Sequence, residues 1–322
     1  MGGKNLKRLL LSLVLLWTHS AHLHAAFPQR EVRLIVPFPA GGSTDVLTRL
    51  MSARLSEMWR HPVIVENIPG NSSVAGTQAV ASAAPDGHTL LAVNAALAMN
   101  EALSRKLPYH ALRSFAPVSL LARQQFVFAV PAGSRITTVG ELIEVSRTNR
   151  VQLNYGSSGL GSLGHLAGEL LKLMTGARFT YVPHKGARHA LDELAARHVA
   201  YVIVPLPRAL PALRNGRIRA VAVAGTDRAT ALPDVPTVGA SVSGYGISTW
   251  SGILAPYGAS VQVVRQINAD VQTIIRKDEL ASLMTSLGYE PNASTPGEFQ
   301  NRLRADIERY SRIVFDAGMG MP

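Results

Sequence analysis

Apolar residues follow two alternating patterns along the chain. Arg33–Phe38 is a short apolar run, whereas the positions that follow it recur at helical spacing: Val46, Leu47, Leu50, Met51, Leu55 and Met58. A short run predicts a buried strand, and the longer period predicts an amphipathic helix. The alternation continues along the chain, which indicates βαβ units built on parallel strands.

The order of the predicted elements indicates two α/β lobes. A polar connection over Asn100–Ser114 leads into apolar stretches within Phe115–Val130, which predict a first crossing to a second lobe. Ile218–Ala224 predicts the strand that crosses back. Domain 1 is therefore expected to comprise residues 27–125 and 225–322, and domain 2 residues 126–224. Two lobes joined by two crossover strands, with a ligand cleft between them, are typical of a hinge-closing binding protein.

The N-terminus has the layout of a secretory signal. Lys4, Lys7 and Arg8 precede the apolar run Leu9–Trp17, and the small residues Ala25 and Ala26 follow. The run is too short to span a bilayer, so residues 1–26 are expected to be a cleaved signal peptide that directs the chain to the periplasm. No later stretch is apolar for long enough to predict a membrane span.

Composition narrows the chemistry. The chain has no cysteine, which excludes disulfides, thiolate metal sites and thiol nucleophiles. Its net charge is +11, and without the three signal-peptide cations the balance is 29 basic against 21 acidic residues, or +8. The basic residues are scattered and are not interleaved with aromatics, so the charge favours an anionic solute rather than nucleic acid.

Glycine-rich turns that lead into helices are the main candidate site. The string Pro37-Phe-Pro-Ala-Gly-Gly-Ser-Thr-Asp45 joins the first strand to its helix, and similar units recur near Gly156–Gly164 and Lys185–Gly186. Helix N-termini expose unpaired N–H groups with partial positive charge, so such turns predict an anion cradle. The expected ligand-binding residues are Pro39, Ala40, Gly41, Gly42, Ser43, Thr44, Asp45, Ser157, Ser158, Gly159, Gly161, Ser162, His184, Lys185 and Trp250.

Three of these residues have a structural alternative. Asp45 is either a ligand contact or the acid of the first helical turn, where a carboxylate is favoured electrostatically. Lys185 either pairs with a carboxylate or is solvated. Trp250 lies on an apolar strand and is either a core residue or a wall of the cleft.

Enzymatic alternatives have weaker support. Gly159-Leu-Gly-Ser-Leu-Gly164 matches a dinucleotide-binding string, but Tyr181-Val-Pro-His184 stands where the acid for the ribose is expected. Neither Ser43 nor Ser158 lies in a nucleophile-elbow motif, and no pair of histidines has zinc-ligand spacing. The sequence therefore predicts no catalytic residue, no metal and no cofactor.

Several strings resemble those of the Bug-type extracytoplasmic solute receptors of tripartite tricarboxylate transporters. In chain order they are Pro37–Asp45, Val65-Glu-Asn-Ile-Pro-Gly70, Pro85-Asp-Gly-His-Thr-Leu90, Tyr155–Ser162, Val182-Pro-His-Lys-Gly186, Leu232-Pro-Asp-Val-Pro-Thr237 and Trp250-Ser-Gly-Ile-Leu-Ala-Pro256. The similarity runs from about Val32 to Gly318.

The resemblance implies a type II-like periplasmic binding fold that closes over its ligand. It implies that Gly41–Asp45 and Ser157–Ser162 grip a small organic carboxylate (a di- or tricarboxylate or an aromatic acid), often through water. The receptor is then expected to be monomeric and to deliver its ligand to permease subunits in the membrane. A sensor that feeds a signalling partner is an alternative with the same fold.

The chain departs from the family pattern at identifiable positions. Asn71-Ser-Ser73 replaces the usual glycine-rich stretch, and His88 and His184 each replace a tyrosine. The segment Ala195–Ala200 lacks the acidic residue that is common there. Because an acid would recognise an amino group, its loss favours a carboxylate ligand without one.

Overall fold

The computed structural model describes residues 27–103, 106–148 and 153–320. The predicted signal peptide lies outside the described residues. The strands are β1 Val32–Val36, β2 Val63–Asn67, β3 Thr89–Asn94, β4 Phe115–Pro131, β5 Leu153–Ser157, β6 Phe179–Val182, β7 Tyr201–Pro205, β8 Ile218–Val223, β9 Ser248–Pro256 and β10 Tyr289–Pro291.

The α-helices alternate with these strands as predicted. They are α1 Ser43–Trp59, α2 Val74–Ala81, α3 Ala96–Ala102, α4 Val139–Thr148, α5 Leu163–Thr175, α6 Ala187–Ala195, α7 Leu206–Arg214, α8 Val261–Ile275, α9 Asp278–Ser286 and α10 Pro296–Asp316. Helix α3 begins before the predicted polar connection and occupies its first residues, so that prediction is wrong at its start. The helix spans only seven residues, of which Asn100 and Glu101 are polar, so it is too short to show a repeating amphipathic period.

One sheet contains all the strands, in the order β2-β1-β3-β9-β4-β7-β5-β6, with β8 and β10 also paired to β4. Strands β1, β2 and β3 are mutually parallel, as are β5, β6 and β7. We call the β1–β3 side of the sheet the first lobe and the β5–β7 side the second lobe. Parallel strands need helical crossovers, which explains why helices cover the sheet.

Strand β4 belongs to both lobes. Residues Phe115–Gln125 pair with β9 in the first lobe, and Phe126–Ala129 pair with β7 in the second. The sequence predicts two apolar stretches here, whereas the structure has one continuous strand of 17 residues. Polar residues such as Gln124 and Gln125 interrupt the apolar pattern, but both side chains are buried and hydrogen-bonded.

The chain returns from the second lobe to the first later in the sequence than predicted. Strand β8 pairs only with the second-lobe part of β4, over Val127–Pro131. The following segment also stays with the second lobe, since Thr237 bridges to Val223 and the hydroxyl of Tyr245 donates to the carbonyl of Ala167 on α5. The boundary predicted at residue 225 therefore moves to about Ser248, where β9 begins.

Both faces of the sheet are buried. On β1, Leu34 packs against the core cluster that includes α1 and α8, whereas its neighbour Ile35 faces the cluster that includes α3 and α10. This alternation follows from the two-residue period of a strand. Burying a side chain of this size contributes about 1.5–3 kcal/mol, so residues like these fix the register of the strands that carry the site.

None of the helices in the described ranges is both long enough and apolar enough to cross a membrane.

The segment after β2 holds three consecutive non-glycine residues in the left-handed region. The φ angles are +44° at Asn71, +55° at Ser72 and +78° at Ser73. Asn100 stabilises this turn by donating to the carbonyl of Ser72 and the hydroxyl of Ser73. The turn keeps a backbone suited to the glycines of the family pattern, and L-residues adopt that backbone at a cost of about 1 kcal/mol each.

Ser72→Gly should therefore stabilise the protein by about 1 kcal/mol, because Ser72 is exposed and the bond from Asn100 is to its backbone. Chemical denaturation of the two proteins measures the difference. Ser82→Gly is the control: Ser82 has φ −99°, so glycine should give no gain there. A loss of stability in Ser72→Gly would contradict the strain argument.

Candidate ligand-binding site

The carboxyl ends of the parallel strands in both lobes converge on the middle of β4. In the first lobe, Asn94 at the end of β3 pairs with Ser251 on β9, and Ser251 pairs with Ala122. In the second lobe, Pro205 at the end of β7 pairs with Phe126. The loops after β1 and β3 therefore approach those after β5 and β7. Carboxyl ends of parallel strands are the usual ligand sites of α/β sheets.

The first-lobe loop ends in an open helix N-terminus. Gly41 adopts φ +75°, which glycine tolerates, and Gly42 is the N-cap of α1. The first bond of the helix runs from the N–H of Val46 to the carbonyl of Gly42. The N–H groups of Ser43–Asp45 therefore have no partner within the helix, and they lie at its positive end. This arrangement suits an anion.

Asp45 shapes this loop rather than facing a ligand. Its carboxylate accepts from the backbone N–H of Gly41 at 2.8 Å, the side chain of Arg49 at 3.0 Å and the amide of Asn67 at 2.9 Å. Burial raises the pKa of Asp45, but the bonds from Arg49, Gly41 and Asn67 outweigh it and hold that pKa below its usual value. Of the two alternatives in the sequence, the first-turn acid is the one that the geometry favours.

Two residues that the sequence did not indicate form hydrogen bonds to the first-lobe loop. Asn94 donates its amide to the hydroxyl of Thr44 at 3.0 Å. Tyr289, on β10, donates its hydroxyl to the carbonyl of Ser43 at 2.7 Å. Asn94 is readable as a polar residue at a strand end, but Tyr289 is far away in sequence and has no such signal.

The second-lobe loop has the same design. Gly159 and Gly161 adopt φ +145° and +70°, and Ser162 is the N-cap of α5, where its hydroxyl accepts from the N–H of His165. The N–H groups of Leu163 and Gly164 have no intrahelical partner. A side chain at Gly164 would lie 2.5 Å from the carbonyl oxygen of Ile203. The glycines of this loop therefore serve the turn and its close packing.

Hydroxyl groups tie this loop together. The hydroxyl of Ser157 is 3.0 Å from that of Ser162 and 3.1 Å from that of Tyr181 on β6. Ser157 is fully buried, whereas Ser158 and Ser162 are half-buried. Ser157 thus supports the loop, and Ser158 and Ser162 are better placed to meet a ligand.

His165 supports the same loop from inside the second lobe. Its Nδ1 accepts from the N–H of Gly161 at 3.2 Å, and its ring stacks on Tyr181 with 3.9 Å between centroids. Burial lowers the pKa of His165 to about 4, although the nearby carboxylate of Glu169 opposes this change. The ring is therefore neutral at physiological pH, which is the state that can accept from Gly161.

Three other predicted residues differ in where they lie. Trp250 is a core residue: it is 1% exposed, packs edge-on against Phe299 and donates to Asp306 at 2.8 Å, so its assignment to the ligand site is wrong. The ring of His184 is buried close to Gly156 at the end of β5, and the following residues stay beside the loop, since the N–H of Gly186 donates to the carbonyl of Ser158 at 3.1 Å. Lys185 is exposed.

The titratable groups of the site do not form a metal centre. Across the residues that the structure describes, no three His, Asp or Glu side chains are grouped to hold a metal ion. The donors that the two loops offer are N–H and O–H groups, which match an anion.

Known proteins share this architecture. The sequence model of the protein family described as "Tripartite tricarboxylate transporter family receptor" matches residues 47–319. Protein BugT of Bordetella pertussis is 31% identical over 297 residues, which cover 91% of this chain and 90% of BugT. The structure of R. palustris Rpa4515 with adipate has a TM-score of 0.86 and 34% identity, and the match covers 91% of this chain and 99% of that one.

A second solved structure carries a different ligand. MatC from Rhodopseudomonas palustris with bound malate gives a TM-score of 0.80 at 29% identity, over 89% of this chain and all of MatC (100%).

Fold and site together define a two-lobed, type II-like solute-binding protein. The chain belongs to the tripartite tricarboxylate transporter receptor family and is of the Bug type. The predicted family and fold are thus confirmed. Members of this family are receptors rather than enzymes, which excludes the dinucleotide and hydrolase alternatives.

The neutral state of His165 has a consequence for pH dependence. Because the pKa of His165 is about 4 in the folded chain, against 6.5 ordinarily, the unfolded chain binds the proton more readily. The free energy of unfolding should therefore fall by on the order of 2 kcal/mol as the pH drops from about 6.5 to about 4.

His165→Asn keeps an acceptor for Gly161 but does not titrate, so it should reduce this pH dependence. Denaturation curves at several pH values measure the slope. His165→Ala also removes the acceptor and should bind ligand more weakly than His165→Asn. An unchanged slope in both variants would contradict the assignment.

Proposed function

We propose that this receptor captures a small organic carboxylate between its two lobes and delivers it to a tripartite tricarboxylate-type permease. The observation that carries the proposal is the pair of open helix N-termini, at Ser43–Asp45 and at Leu163–Gly164, on loops that converge on β4. A carboxylate has acceptor oxygens that both can share. Charge-assisted bonds of this kind are stronger in a site from which closure excludes water.

The related structures support the choice of ligand class. One neighbour carries adipate and another malate, and both are dicarboxylates. Neither contains an amino group, in agreement with the missing acid in Ala195–Ala200. The ligand-binding residues are proposed to be the exposed and half-buried members of the two loops: Pro39, Ala40, Gly41, Gly42, Ser43, Ser158, Gly159, Gly161 and Ser162, together with backbone N–H groups of Thr44 and Asp45.

The partners and the compartment follow from the same proposal. In this proposal the mature receptor, after removal of residues 1–26, is a periplasmic monomer that passes its ligand to permease subunits. A sensing role would use the same pocket, and only the identity of the membrane partner separates the two.

Titration calorimetry with purified protein tests the ligand class. Adipate, malate, a tricarboxylate, benzoate and nicotinate are the probes, and at least one should bind and raise the melting temperature, because a ligand that binds only the folded state stabilises it. Inorganic phosphate is the matched anion control. Binding of phosphate without any carboxylate would overturn the proposal.

The N-cap serine of α5 provides a second test. Ser162→Ala should weaken carboxylate binding about tenfold, because it removes a donor beside the helix N-terminus and loosens the turn. Loss of the cap should also cost about 1 kcal/mol of stability.

Ser260→Ala is the matched control, because Ser260 caps α8 in the same way, by accepting from the N–H of Val263. Ser260 follows the C-terminal end of β9, whereas the candidate site lies near Ser251, close to its N-terminal end. It should lose similar stability and keep its ligand. Equal affinities of the two variants would argue against the second-lobe loop as a binding element.

A further inference from the structure

Arg208 connects the second lobe to the anion-binding loop of the first. It lies in the first turn of α7, and its Nη1 donates to the carbonyl oxygen of Gly41 at 2.7 Å. Gly41 immediately precedes the N-cap of α1. The guanidinium therefore stands beside the open N-terminus that is proposed to hold the carboxylate.

Packing fixes the position of this part of α7. A side chain at Gly288 would lie 3.3 Å from both Leu206 and the backbone N of Pro207, so the turn before β10 is in close contact with the start of α7. Tyr289, the next residue, donates to Ser43. Burial raises the pKa of Tyr289, and the charges of Arg208 and Asp45 act on the same hydroxyl in opposite directions. Arg208, Tyr289 and the loop thus form one junction.

The guanidinium is not neutralised in this junction. An arginine carries five N–H donors, and the hydrogen bond of Arg208 described above goes to a neutral carbonyl. By contrast, Arg49, Arg123 and Arg302 each pair with a buried or half-buried carboxylate. Within the described part of the chain, no carboxylate lies within ion-pair distance of Arg208.

Arg208 also borders a cavity within the second lobe. Arg208 lines a cavity of about 280 Å³ between α6 and α7, together with Arg188, Arg217 and Asp192 among others. Asp192 is the acidic residue of this lining, and it forms no ion pair with Arg208. The lining of this cavity therefore carries a net positive charge, and Arg208 itself is half-buried.

We infer that Arg208 binds the second carboxylate of a dicarboxylate whose first carboxylate is held by the two helix N-termini. A charged carboxylate is a stronger acceptor for guanidinium than a neutral carbonyl and can accept two bonds in parallel. The ligand would therefore replace Gly41 as the partner of Arg208. This inference rests on the proposed function and narrows its substrate class from carboxylates to dicarboxylates.

The experiment compares acids that differ by one terminal carboxylate. Calorimetry is run with succinate, glutarate and adipate against butanoate, pentanoate and hexanoate. Arg208→Ala should weaken the best dicarboxylate by on the order of 10- to 100-fold, because one charged partner is lost. Its affinity for the matching monocarboxylate should change less than about twofold. Arg208→Lys keeps the charge but cannot donate two parallel bonds, so its dicarboxylate affinity should lie between those of the wild type and Arg208→Ala.

Arg214→Ala is the matched control. Arg214 lies on the same helix and also donates one bond to a backbone carbonyl, that of Ser286 at 2.7 Å. This variant should bind both classes of acid like the wild type. Melting temperatures of all variants report whether the fold is kept.

Three results would overturn the inference. Equal weakening of mono- and dicarboxylates would mean that Arg208 only joins the lobes. Unchanged dicarboxylate affinity would mean that it does not contact the ligand. A wild type that binds monocarboxylates but no dicarboxylate would refute the inference and leave the proposed function standing, whereas a wild type that binds no carboxylate would refute both.

Discussion

The binding site depends on one strand that both lobes share. Because β4 pairs with β9 along one part and with β7 along the next, it fixes where the strands of both lobes end. The carboxyl ends of two separate parallel arrays then meet at its middle. A shift in register along β4 would displace one array relative to the other and separate the two helix N-termini. The buried apolar side chains on both faces of the sheet oppose such a shift.

Each of the two candidate loops is kept in shape by a buried side chain that accepts a hydrogen bond from the loop backbone. In the first lobe, Asp45 is buried and accepts from Gly41, while Arg49 and Asn67 satisfy its remaining lone pairs. In the second lobe, neutral His165 accepts from Gly161 and stacks on Tyr181. This division of labour leaves helix N–H groups available for an anion. It also means that the charge of Asp45 is already compensated by Arg49 before a ligand arrives.

The departures from the family pattern have different physical consequences. At Asn71–Ser73 the chain keeps a left-handed backbone without glycine, so the change introduces strain and no evident new contact with the site. At position 184 the imidazole replaces a phenol and packs next to Gly156, at the start of the second-lobe loop. Arg208, which is not one of these departures, places a cation without an ion-pair partner beside the first-lobe loop. Ligand selectivity is therefore better sought at Arg208 than at these exchanged side chains.

The sequence alone determined the alternation of strands and helices, the two glycine turns that lead into helices and the family. These depend on local properties: apolar period, glycine in turns and the unpaired N–H groups of a helix start. The length of β4, the late return at Ser248 and the core position of Trp250 were decided by tertiary structure, because pairing and burial overrode polar residues such as Gln124 and Gln125. The same holds for Tyr289 and Arg208, which reach the loop after β1 only because β10 and α7 are packed beside it.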